Sequence, residues 1–351
     1  MTLSDRTRAY WDFFASESVR LKSPLYLRLS EAVRDDSWLS ALAAKARLGQ
    51  PMANLLFGAV HYLLLRGAQH PLRAHYRTLT PDPALAPGDP FPPFRDFVRA
   101  HEPEVAELIA TRVTNTNEVG RSACLRTGFL LAARQGGEPL HVIELGPSAG
   151  LNLHWARYGY RYVKDGHLYQ AGDAVARFTL ETKLDGPLLP PVGPTPRLGK
   201  IIGLERCPVD LSNPNDRHWL KALVWPDHRE RFQRLEGALA VTKGLALDIR
   251  QGDALALLPD ALSECPREGA ICVYHTLVTY QFAKPERQAL DDLLTLASLR
   301  GRPIFRLSLE YEDGVYPLKL ARYDDGAKDT RILSICDPHG GSMEWRDERS
   351  P

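Results

Sequence analysis

The residues best suited to chemistry lie where a short apolar run meets two glycines. His141 to Leu153 reads HVIELGPSAGLNL. Gly146 permits a tight turn, and Gly150 lets the following segment approach a strand or a ligand closely. Backbone N–H groups opening a helix after the turn would suit an anionic group. Glu144, just before the turn, would face a cationic or hydroxyl-bearing one. Further along, Glu205 closes Gly203-Leu-Glu-Arg, and an acid at the end of a second parallel strand holds ribose hydroxyls. Asp253 and Ala254, in Gln251-Gly-Asp-Ala, follow the next strand candidate, where the carboxylate is placed to accept from an adenine amine. His275 and Thr276 end the strand after that, at the same rim. His275 is the candidate for acid–base work, since its ordinary pKa lies near neutrality. A buried, hydrogen-bonded structural histidine is the alternative.

A second polar concentration precedes the turn. Thr111 to Arg121 reads TRVTNTNEVGR. Asn115, Asn117, Glu118 and Arg121 are candidates to line a substrate pocket, with capping or interdomain hydrogen bonding as the alternative. Helices in this part of the chain are expected to bring these side chains to the glycine turn.

These residues need elements to position them. Residues 1 to about 135 read as an all-helical N-terminal domain. Pro51 followed by Leu55, Leu56, Ala59, Val60, Leu63 and Leu64 gives one helix face, closed by Gly67. Ser37 to Ala46, Glu104 to Val113 and Val119 to Ala133 give three more. Seven prolines between Pro71 and Pro93 mark a loop. From 136 onward the pattern becomes α/β. Strand candidates at 141–145, 200–204, 247–251, 271–275 and 303–309 alternate with helix candidates at 151–158, 216–223, 226–241 and 285–299, which predicts a mostly parallel sheet with covered faces. Val315 to Tyr323 and Thr330 to Cys336, joined by Asp324-Asp-Gly-Ala, read as a C-terminal antiparallel hairpin on the edge of that sheet. A β-rich insertion at about 158–200 is expected to sit outside the sheet.

Composition bounds the partners. The 351 residues are 44% hydrophobic and 25% charged, ordinary globular values. A net charge of +1 argues against gripping nucleic acid or anionic membrane by bulk charge. Met1 to Phe14 lacks the apolar core of a signal peptide, and the most apolar run, Ala53 to Leu65, is shorter than the about 20 residues of a membrane span. Five scattered cysteines without a Cys-x-x-Cys pair suggest neither a zinc site nor a disulfide framework. The expectation is a soluble cytoplasmic protein without a metal, acting on a small molecule or peptide.

Taken together, the glycine turn, the acids at three strand ends and the terminal hairpin resemble a class I S-adenosylmethionine-dependent methyltransferase domain over about Leu140 to Cys336. The resemblance implies a Rossmann-like sheet and S-adenosylmethionine as cofactor. Glu144, Gly146 and Gly150, with Ser148 in the same turn, would hold its methionine part, Glu205 its ribose, and Asp253 with Ala254 its adenine. The whole chain also resembles a bacterial family catalogued only as a domain of unknown function, through TRVTNTNEVGR, ELGPSAGLN and Trp219 to Asp227, WLKALVWPD. That family carries no assigned reaction. The sequence departs from the methyltransferase pattern in two respects. Glu205 lies 59 residues after Gly146 instead of about 20, and Ser148 replaces the central glycine of the turn.

Two rival readings attach to the same residues. Gly146-Pro-Ser-Ala-Gly150 is a literal Gly-x-Ser-x-Gly nucleophile elbow, with Glu310 or Asp313 and His339 available to complete a triad. The helical character of the preceding 140 residues argues against it, and Ser148 as a helix cap is the bland alternative. The domain could instead bind S-adenosylmethionine without catalysis or serve as an interaction scaffold. Three acids at one rim favour binding over a dead scaffold. Asp337-Pro-His339 is expected at the edge opposite the ligand. Trp219 and Trp225 are expected to pack a helix on the sheet. Tyr158, Tyr160, Tyr162 and Tyr169 read as an aromatic lid or as strand packing.

Overall fold

Capping chemistry sets the first helices. The computed structural model describes residues 3–80 and 88–349. It begins with α1 (Leu3–Arg20), α2 (Pro24–Asp35), α3 (Ser37–Ala43), α4 (Met52–Leu65), a 3-10 turn (Pro71–His75), α5 (Phe91–Ala100) and α6 (Glu102–Thr111). Ser23 caps α2 ahead of Pro24, and Asp36 accepts from the Leu39 N–H at 3.0 Å to cap α3. Part of the proline-rich loop reading falls on residues 81–87, outside the described residues. Next come α7 (Arg121–Gly136), α8 (Pro214–Ala222), α9 (Arg229–Val241), α10 (Ala254–Ser263) and α11 (Lys284–Ser298). No helix among the described residues is long and apolar enough to cross a membrane.

The chain forms two units. One holds the residues up to Thr116 with Val209–Glu236, and the other holds Asn117–Pro208 with the residues from Gly237 on. The boundary therefore falls before α7, not near 135, and α8 returns to the helical unit. Trp219 and Trp225 explain that return. The Trp219 indole donates to the Val113 carbonyl at 2.8 Å, and Trp225 packs on Phe14 and Tyr26. They join a helical core with Trp11, Phe57 and Phe97 and do not pack on the sheet. Asp227 accepts from the Ser23 hydroxyl at 2.7 Å and the Leu25 N–H at 3.1 Å, pinning the start of α2.

The second unit carries one mixed, mostly parallel sheet. Its strands are β1 (Leu140–Leu145), β2 (Gly159–Lys164), β3 (His167–Gly172), β4 (Thr179–Asp185), β5 (Leu198–Glu205), β6 (Asp248–Gln251), β7 (Ala270–Thr276), β8 (Ile304–Leu309), β9 (Pro317–Asp324), β10 (Ala327–Cys336) and β11 (Ser342–Trp345). Their spatial order is β3-β2-β4-β11-β10-β9-β8-β7-β1-β5-β6. The block β6-β5-β1-β7-β8 is parallel throughout. Near-continuous apolar runs such as LHVIEL and AICVYHT suit strands buried on both faces. Succession reverses at β1, with β5 and β6 on one side and β7 and β8 on the other.

Alternation assigns the two faces. Ile143, Leu145, Ile271 and Val273 form a core with Leu258 and Leu262 of α10 and Leu290 and Leu294 of α11. Glu144 and Tyr274, of opposite parity, face α7, where Phe129 packs edge-on to Tyr274 at 5.0 Å. Gly128 lets α7 settle there, because a Cβ on it would lie 2.3 Å from Leu307.

Several sequence expectations need correction. The β9–β10 pair is not at an edge, since β10 also pairs with β11, which continues through β4. The inserted strands β2 to β4 therefore belong to the same sheet, not outside it. The segment expected as a helix after the glycine turn is a 3-10 stretch, Leu151–Arg157. Pro259 lies inside α10, which is why that helix did not register in the sequence.

Candidate functional site

The site is built at the carboxyl edge of β1, β5 and β7, where the strand succession reverses. Ligands of open parallel sheets bind in such a crevice. The chain leaves β1 through three left-handed residues, Gly146 (φ 69°), Ser148 (φ 55°) and Gly150 (φ 74°). The Gly146 N–H donates to the Leu204 carbonyl at 2.9 Å, and the Gly150 N–H closes the turn onto the Pro147 carbonyl at 2.8 Å.

Two acids flank this turn. Glu144 is buried, and its Oε2 accepts from the Tyr274 hydroxyl at 2.6 Å. Burial above all pushes its carboxyl up to about 8. The tyrosine bond pulls the other way, and the charge of Glu205 adds to the rise. Glu144 therefore keeps its proton at neutral pH and would yield it to a cation set against it. Glu205 ties the turn to β5: its Oε2 accepts from the Ser148 N–H at 2.8 Å and its Oε1 from the Cys207 N–H at 3.0 Å.

The polar segment before α7 reaches the same edge. Asn117 accepts from the Leu151 N–H at 2.8 Å. Arg121, in the first turn of α7, reaches Thr276 Oγ1 at 3.2 Å and the Pro338 carbonyl at 2.8 Å. Glu118 is buried and accepts from the Gly120 N–H at 3.2 Å. Asn115 belongs to the helical unit. Glu144, Gly146, Ser148, Gly150, Glu205, Asn117, Glu118, Arg121 and Thr276 thus converge on one rim of the second unit.

Other expected residues do not join them as foreseen. His275 has the parity of Val273 and faces α11. Its Nδ1–H donates to Glu310 Oε1 at 2.6 Å, and its Nε2 accepts from Arg306 at 3.0 Å. Burial holds its pKa below the ordinary value despite the Glu310 bond. It is a neutral structural histidine on the face opposite Glu144. Asp253 caps α10, accepting from the Leu255 and Ala256 N–H groups at 3.0 and 3.2 Å, and pairs with Arg206. Ala254 is the first residue of that helix. The anion expected at the helix start loses its donors, because Asn117 and Glu205 already take the Leu151 and Ser148 N–H groups. Ser148 does not cap the segment either; Gly150 holds that position without a side-chain cap. Gly150 serves packing, since a Cβ there would lie 2.6 Å from Leu247 and 2.9 Å from Ile249.

Asp337-Pro-His339 lies at the carboxyl edge of the parallel strands, not at the opposite one. β9 runs against β8 and β10 runs against β9, so two reversals return the end of β10 to the carboxyl edge. The tyrosines are packing: Tyr158, Tyr160 and Tyr162 are buried with their hydroxyls on the Leu151, Trp155 and Ala123 carbonyls. Tyr274 is a site residue to which the glycine-turn motif does not point. Period-two alternation through Cys272, Tyr274 and Thr276 was the signal that could have found it.

Over residues 8–345 the chain matches a bacterial family described as an uncharacterized protein conserved in bacteria (DUF2332). No curated protein and no solved structure matches it.

Proposed function

The chain belongs to that bacterial family, and within it we propose that the second unit binds S-adenosylmethionine at the edge of β1, β5 and β7 and directs methyl transfer to a small molecule or peptide. The observation that carries this reading is Glu144, a buried carboxyl kept protonated beside the strand reversal. Such a group gains most from a cation, and the methionine part of S-adenosylmethionine presents an ammonium. Glu205 retains lone pairs on both oxygens for ribose hydroxyls while it anchors the turn. Asp253 serves the adenine by exchanging its exposed contact with Arg206, an interaction of little worth in solvent, with Ala254 beside it.

When bound, the cofactor supplies a sulfonium methyl group open to attack by a nucleophile. The chain's own task is alignment, the main requirement of such a transfer. Arg121, Thr276 and Asn117 line the rim where an acceptor would be held, and Tyr274 fixes the Glu144 carboxyl. No general base is assigned, since His275 lies on the other face. A hydrolase reading draws on the left-handed Ser148, with Glu310 or Asp313 as its acid, but Glu310 is bonded to His275 on the other face.

Photo-crosslinking of tritiated S-adenosylmethionine to the purified protein tests the reading. Label on peptides spanning 140–153 or 200–208, displaced by S-adenosylhomocysteine and lost in Glu144→Gln, supports it. Absence of displaceable label overturns it.

A further inference from the structure

One charge of α7 has no answering group. Arg126 is fully buried. Its Nη2 donates to the Gly193 carbonyl at 2.5 Å, and its guanidinium lies 5.4 Å from the centre of the Tyr160 ring. Nε and Nη1 are buried without any acceptor, and Arg126 forms no ion pair among the described residues. An isolated ion in the interior is among the most expensive features a fold can carry.

The neutral side chains around it offer no negative charge, although the Tyr162 side chain lies within hydrogen-bonding reach of the guanidinium. Tyr160 and Tyr162 stack nearly parallel, 9° apart, and donate their hydroxyls to backbone carbonyls. The Nε1 of Trp155, whose carbonyl accepts from the Tyr160 hydroxyl, is itself buried without a partner. So is the hydroxyl of Thr195, two residues from Gly193. A second guanidinium approaches the same loop: a Cβ on Gly193 would lie 3.0 Å from Arg134 Nη2. The loop, residues 186–197 between β4 and β5, is proline-rich and lies over the middle of α7 through Gly193.

We propose that Arg126 anchors a small-anion site enclosed by α7, β2 and this loop. Its ligand presents a carboxylate or phosphate group to Nε and Nη1 through charge-assisted hydrogen bonds. This site is separate from Glu144 and Glu205, and it stands whether or not the methyltransferase reading does.

Thermal unfolding of the full chain in sodium phosphate, sodium acetate or sodium chloride, at constant ionic strength and pH, tests the proposal. A midpoint that rises and saturates at millimolar phosphate or acetate, but not chloride, is expected, and the two anions separate the two ligand chemistries. Arg126→Met should remove the saturable rise, leaving only the linear, unsaturable effect of an excluded salt. Three coincident curves, or an equal saturable rise in Arg126→Met, overturn the proposal. Should the variant not fold, titration of phosphate and of [¹³C]acetate into the wild-type protein decides by NMR. Saturable one-site exchange broadening of either anion is expected, and none for both anions overturns the proposal.

Discussion

Tyr274 and Glu144 are register partners in the parallel pair of β7 and β1, and the tyrosine hydroxyl reaches the carboxyl at 2.6 Å. Both side chains lie on the α7 face, at the point where strand succession turns back on itself. The bond fixes a protonatable group in a low-dielectric corner.

The first prediction concerns pH. Glu144 holds its proton more tightly folded than unfolded, with a folded value of about 8 against an ordinary 4.5. Between those values the native state keeps a proton that the unfolded chain has released, so raising the pH through this window lowers stability, and the loss levels off above about 8. Glu144→Gln removes that slope. Urea unfolding at pH 6 and pH 8.5 should show the variant gaining on the wild type by about 1–3 kcal/mol at the higher pH. A constant difference would contradict the assignment.

The glycine turn gives a contrast between neighbours. Gly150→Val drives a branched side chain into Leu247 and Ile249 at a left-handed position. Overpacking costs about 1–3 kcal/mol and the backbone a further 1–2 or so. Ser148→Gly, at φ 55°, relieves backbone strain and should be neutral or stabilising by up to about 1 kcal/mol. Paired denaturant titrations check this, and equal losses at the two positions would be the wrong result.

His275 supplies a third test. Its removal takes one partner from Glu310, which keeps the Val278 and Thr279 N–H groups, and one from Arg306, which keeps Asp291. His275→Ala should therefore cost about 1–3 kcal/mol of stability while leaving ligand affinity at the turn within about twofold. A large selective loss of affinity with stability intact would return His275 to the site.

Much of this was legible in the chain. The apolar runs at 141–145, 271–275 and 303–309 announced buried parallel strands, and the two glycines announced the turn between β1 and the segment after it. The parity of side chains was not legible. His275 and Tyr274 are adjacent in Val273-Tyr-His-Thr, and only pairing with β1 and packing on α7 or α11 decides which faces the turn. Nor could local patterning show that α8 folds with the N-terminal helices, because its Trp219, and Trp225 just after it, would suit any apolar neighbour. The position of Asp337 to His339 depended on counting two reversals after β8, and strand pairing is a long-range property.

The central claim is a cation-binding carboxyl in a nucleoside site, and calorimetric titration of S-adenosylmethionine into the full-length protein tests it most directly. Run at pH 7 in two buffers of different ionisation enthalpy, the titration should show binding with release of close to one proton, as Glu144 deprotonates against the ammonium. Affinity should rise toward pH 8, and Glu144→Gln should abolish the proton release and weaken binding at least tenfold. No heat at millimolar ligand, or binding without proton release that Glu144→Gln leaves unchanged, would contradict the account.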